Sequence, residues 1–144
     1  MKIRQFVIAL LAFFGMIDAL YLSIKRNSGP VPCHITHGCT QVLTSKYSEL
    51  AGIPVSWFGL AFYVTVFSLA VFSSFDAQEK VPGAGLPMRL IFYLSGLALI
   101  ISALLVGVQA FILKQFCEYC LLSASLVLTI FLVTPHPTPR KLPE

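Results

Sequence analysis

Four cysteines in two pairs carry the most specific chemistry in this chain. Cys33 and Cys39 close the polar stretch C-H-I-T-H-G-C, and Cys117 and Cys120 form C-E-Y-C where an apolar run begins. On a helix, sulfurs at i and i+3 share a face, near enough for a disulfide. A helix N-terminus favours thiolate, so at least one of the two is expected to have a lowered pKa. Two thiol pairs held at one end of an apolar bundle point to electron relay between disulfides. Two other readings compete with it. The C-x-x-C spacing fits half a zinc site, and Cys33, His34, His37 and Cys39 make a candidate metal set. However, both histidines lie inside one tight five-residue insert that matches no zinc spacing, so the reading is no metal. The last alternative is a pair of inert disulfides stapling a structural subunit. Glu118 and Tyr119, between the CEYC thiols, read as interface residues rather than catalysts.

The elements that must position these sulfurs are membrane spans. Of the 144 residues, 57% are hydrophobic and 11% charged, with a mean hydropathy of +0.84, far from an ordinary soluble domain. A span needs only about 20 apolar residues, so one domain, 1–144, accommodates an all-α bundle of four transmembrane helices. The expected spans are 6–24, 57–75, 90–113 and 116–133. The first resembles a secretory leader over Phe6 to Ile17, but its apolar run continues past Asp18 with no small-x-small cleavage site, so it reads as a retained anchor. Span two opens on Trp57, an interfacial residue type. In span three, Ala98/Ser102 and Ala103/Gly107 have the small-xxx-small spacing of close helix approach.

Between spans one and two, residues 27–56 form a cap. Gly29-Pro30-Val31-Pro32 break the first helix. Val42, Leu43, Tyr47, Leu50 and Ala51 then fall on one face of a short helix ended by Gly52-Ile53-Pro54, a segment suited to lie flat on the bundle. Four spans fix parity: both cysteine pairs face one side, and both termini face the other. Six cations flank the terminal side (Lys2, Arg4, Lys80, Arg89, Arg140, Lys141) and four the cysteine side (Lys25, Arg26, Lys46, Lys114), together the ten of the chain. The excess places the termini in the cytoplasm, and cycling disulfides belong on the oxidising side. The modest net charge of +4 sits at span ends, which excludes a nucleic-acid patch.

The pattern C-x5-C-x2-V-x2-S-x-Y, then G-I-P, W-F-G and a late C-x-Y-C resembles the vitamin K epoxide reductase family. The matched residues are Cys33, Cys39, Val42, Ser45, Tyr47, Gly52, Ile53, Pro54, Trp57, Phe58, Gly59, Cys117, Tyr119 and Cys120, with Asp18 and Tyr21 in span one. The resemblance implies a four-helix bundle enclosing a quinone, with electrons arriving from a thioredoxin-like partner. It implies that Cys39 takes the partner's attack, that Cys33 then opens the Cys117–Cys120 bridge, and that the freed Cys120 reduces the quinone. Ser45 matches the Ser/Thr that supports this chemistry beside the pocket.

Animal members carry an asparagine and a tyrosine where this chain has Val55 and Ala124. Without those hydrogen-bonding groups, reduction of a quinone (ubiquinone, menaquinone or phylloquinone type) is expected rather than vitamin K epoxide reduction, the alternative activity. This matches the bacterial branch, which supports disulfide formation from the inner membrane with its cysteines in the periplasm. Because the chain ends at Glu144, its thioredoxin-like or DsbA-like partner is expected to be a separate protein, and the enzyme itself a monomer. Asp18, a carboxylate inside an apolar span, is a candidate proton relay; the competing reading has it near the span's outer end, snorkelling to Lys25 or hydrogen-bonding a neighbouring helix. Gln109 reads as an amide tying helices together. Phe58, Phe62 and Leu121 are expected as pocket walls, with Ala124 nearby.

Overall fold

A computed structural model describes residues 2–76 and 85–137. The expected Asp76–Pro87 turn, apart from its ends, and most of the polar tail lie outside the described residues, as do Lys80, Arg140 and Lys141. Helix α1 spans Lys2–Ser28. The cap follows, with a five-residue helix α2 (Cys39–Leu43), one 3-10 turn (Lys46–Ser48), and strands β1 (Glu49–Leu50) and β2 (Ile53–Pro54). Helices α3 (Val55–Asp76), α4 (Gly85–Val108) and α5 (Glu118–Val133) complete the chain, and a π-helical segment, Gln109–Leu113, ends α4.

Three of these helices are long and apolar enough to cross a membrane: Ile3–Ser28, Val55–Phe75 and Leu86–Leu113. Helix α5 is equally apolar but has 16 residues, about 24 Å at 1.5 Å per residue, against a hydrocarbon core of about 30 Å. The helices pack in a ring in which α1 meets α3 most extensively, α3 meets α4, α4 meets α5 and α5 returns to α1.

The α1–α3 seam owes its closeness to small residues. Ile8, Ala12, Gly15, Ala19 and Leu22 repeat at alternating four- and three-residue steps along α1, the stripe that faces a partner helix; all five are buried. A Cβ on Gly15 would stand 2.2 Å from the Tyr63 ring, so the glycine is what admits that ring. Of the close-approach pairs expected in α4, Ala98 packs against the core, but the other three residues do not act this way. Ala103 is exposed, Gly107 has no described atom within 4 Å of its added Cβ, and Ser102 faces a cavity. The core is built on Ile8, Tyr63, Val66, Ile91, Val127 and Ile130.

The cap departs from the expected single amphipathic helix. Val42 and Leu43 are buried, but Tyr47 and Leu50 are half or more exposed. Ser45 is extended, with its hydroxyl donating to the Val42 carbonyl, which ends α2 after little more than one turn. Ala51 and Gly52 both have positive φ (54° and 82°), the conformation that joins a two-residue β-hairpin, and β1 pairs antiparallel with β2 there. Arg26, at the end of α1, holds this hairpin through Ser48 Oγ (3.1 Å) and an ion pair with the Glu49 carboxylate.

Candidate functional site

The two cysteine pairs meet at the cap end of the bundle. Cys39 and Cys117 belong to one buried cluster with Leu22, Val31, Val42 and Leu43, and Cys33 and Cys120 pack against it. Cys33 and Cys39 are disulfide-bonded, with Cα atoms 6.0 Å apart, while Cys117 and Cys120 are free thiols. Their exposure runs opposite to the expected order of attack. Cys39, expected to meet the partner, is 1% exposed, and Cys33 is the half-buried member of the pair.

Helix α5 begins at Glu118 rather than Phe116, so Cys117 is its N-cap in extended conformation. The Cys117 sulfur accepts the Cys120 backbone N–H at 3.4 Å, the position a capping oxygen usually fills.

The π segment sets this corner, as such segments often do at functional sites. The buried Gln109 side chain accepts the Cys117 N–H at 3.1 Å, and Gln115 N–H bonds the Gln109 carbonyl. Lys114 turns the chain in a left-handed conformation (φ 51°). Gln109 therefore does tie elements together, and the element it ties is the C-x-x-C itself.

Below the cluster lies a cavity of about 480 Å³, within the range of small-molecule sites. From α5 it is lined by Cys120, Ser123, Ala124 and Val127, the i, i+3, i+4, i+7 face of one helix. Leu121 sits off that stripe and is not among the lining residues, which corrects its assignment as a wall. Phe58, Phe62, Ser45 and Val55 do line the cavity.

Asp18 also faces the cavity, 8% exposed, with its Oδ2 atom unpartnered among the described residues. Among the described residues no ion pair joins Asp18 to Lys25; the Lys25 Nζ stands 6.0 Å from the centre of the Tyr21 ring. The Ser56 hydroxyl is a second buried, unpartnered group in the same wall. Tyr63, which sequence reasoning missed because an aromatic in an apolar span looks like packing, bonds the Ser123 hydroxyl (2.8 Å) and donates to its carbonyl (3.0 Å). Among the described residues, no three His, Cys, Asp or Glu side chains come together as a metal site.

Fold and site together define a helical protein of membrane type whose thiol–disulfide centre opens on an apolar cavity. The sequence profile of the vitamin K epoxide reductase family matches residues 6–135. The chain belongs to the vitamin K epoxide reductase family. Membership implies an oxidoreductase, with membrane thiol/quinone redox activity as the family's general chemistry.

Proposed function

We propose that this protein is a four-span thiol:quinone oxidoreductase that draws electrons from a thioredoxin-like partner and supports disulfide formation. The observation that carries this reading is the single cluster of four cysteines with one member, Cys120, also lining the cavity.

Exposure supports a revised order of transfer. The partner's thiolate attacks Cys33, the accessible sulfur, forming a mixed disulfide and releasing the Cys39 thiolate. Cys39, buried beside Cys117, attacks the Cys117–Cys120 disulfide and releases Cys120 as thiolate. The partner's second thiol then completes its own disulfide and releases Cys33, whose thiolate attacks Cys39 in the Cys39–Cys117 bridge, re-forming Cys33–Cys39 and leaving the electron pair on the Cys117 and Cys120 thiols. Attack requires an accessible thiolate and a sulfur in reach, and the relay passes only between neighbouring sulfurs.

A quinone bound in the cavity supplies the two-electron acceptor and takes up two protons as the Cys117–Cys120 disulfide re-forms. The apolar walls exclude water, while the unpartnered Asp18 and Ser56 oxygens suit a ligand with polar atoms at its rim. Asp18 stands where it can relay a proton. Val55 and Ala124 both line the cavity and offer no hydrogen bond, which supports quinone over epoxide as the substrate. Parity and the cation excess support a reading with the cysteines in the periplasm and the termini in the cytoplasm of a bacterial inner membrane.

A reduced thioredoxin-like protein with its resolving cysteine removed tests the order. Mixed with the oxidised enzyme and quenched in acid, it is expected by peptide mass mapping to be linked to Cys33. Linkage to Cys39 would reverse the order, and linkage to neither would refute the relay.

A further inference from the structure

The two residues between Cys117 and Cys120 do not face the cavity; they grip the cap. The Glu118 carboxylate accepts the backbone N–H groups of His34 at 3.0 Å and Ile35 at 2.9 Å, one on each oxygen. The Tyr119 hydroxyl donates to the Pro32 carbonyl at 3.2 Å, and its ring stacks at a tilt 5.3 Å from that of Tyr21. Cys33 is thus bracketed, before and after, by the two residues that separate the other pair of sulfurs.

Gly38 completes the fit. A Cβ there would stand 2.7 Å from the Gln115 Cβ and 3.0 Å from the Phe116 carbonyl oxygen, so the residue before Cys39 lies directly against the residue before Cys117. Residues 30–38 have no helix or strand of their own. Their backbone donors need partners from elsewhere, and a carboxylate in the first turn of α5 is also favoured by the helix dipole.

We propose that Glu118 is a positioning residue for transfer between the two cysteine pairs: its bidentate grip on His34 and Ile35 latches the cap so that Cys39 is held against Cys117. The proposal rests on the relay reading above. Exchange between sulfurs on separate segments depends on their effective concentration, and a segment without regular structure holds one position only through such contacts. The C-x-x-C motif therefore supplies, besides its two sulfurs, the grip that presents the other pair to them.

The test uses the full chain carrying Cys33→Ser and Cys120→Ser, which leaves Cys39 and Cys117. Equilibration with glutathione oxidises the two thiols to one disulfide while glutathione disulfide is reduced to two glutathiones, and the ratio at balance gives the effective concentration. Glu118→Gln, which keeps the shape and removes the charge, is expected to lower it about fivefold. Amide exchange at His34 and Ile35 is expected to quicken by a similar factor while α3 amides keep their protection. Glu118→Asp, which keeps the charge, is expected to recover part of both.

An unchanged effective concentration, or unchanged exchange at those two amides, would overturn the proposal. A parent with Glu118 intact that forms no Cys39–Cys117 disulfide at any glutathione ratio would instead refute the relay itself, and the proposal with it.

Discussion

Replacing Gly15 by alanine tests whether the α1–α3 seam holds the site in place. The added Cβ would stand 2.2, 2.4 and 2.5 Å from three atoms of the Tyr63 ring. Carbon contacts settle near 3.5–4.0 Å, so the ring must retreat by roughly 1.5 Å. It has little room to do so, since Tyr63 is 1% exposed and its hydroxyl is fixed by Ser123 on α5. Overpacking of this kind costs about 1–3 kcal/mol, and loss of the hydroxyl's bonds about 1 kcal/mol more. Alanine's better helix propensity returns about 1 kcal/mol. The net expectation is a loss of about 1–3 kcal/mol, read by reversible unfolding in mixed detergent micelles. Gly107→Ala is the control: nothing described lies within 4 Å of its added Cβ, so only the propensity gain of about 0.5–1 kcal/mol remains. Equal effects of the two substitutions, or a stabilising Gly15→Ala, would refute the packing argument.

Asp18→Asn keeps the side chain's size and removes its proton. If Asp18 relays protons in the cavity, quinone reduction falls by about a hundredfold while thiol exchange between the cysteine pairs is unchanged; equal turnover would remove Asp18 from the reaction. Gln109→Leu strips the buried Cys117 N–H of its acceptor and is expected to cost about 1–3 kcal/mol, with slower opening of the Cys117–Cys120 disulfide in stopped-flow mixing. A variant as stable as the parent would show that the π segment does not hold the C-x-x-C.

The long apolar stretches and the grouping of the cysteines were legible in the sequence because both follow from coarse patterns: apolar length, and the parity that returns residue 117 to the side of residue 33. Helix faces were not. In α5 nearly every position is apolar, so nothing in the residue types separates Leu121 from Cys120, Ser123, Ala124 and Val127, which line the cavity. The same blindness put close approach on Ala103 and Gly107 instead of Ala12, Gly15 and Ala19, since small residues recur on several faces and only packing selects one. The cap was misread for a different reason. Its form depends on contacts 80 or more residues apart in sequence, such as Glu118 to His34 and Ile35, and on the positive φ of Ala51, a residue that rarely signals a turn. Gln109 had a partial signal, an amide in an apolar span, but the π segment that aims it at Cys117 had none.

Electrons passing from thiols through Cys120 to a quinone are measured most directly by the quinol yield per partner dithiol. Purified protein in detergent, given a reduced thioredoxin-like protein and a short-chain ubiquinone or menaquinone without oxygen, is expected to form one quinol for each partner disulfide. Cys120→Ala is expected to form none while still accepting the partner at Cys33. Quinol formation at the parent rate by Cys120→Ala, or partner oxidation by the parent with no quinol formed, would contradict the account.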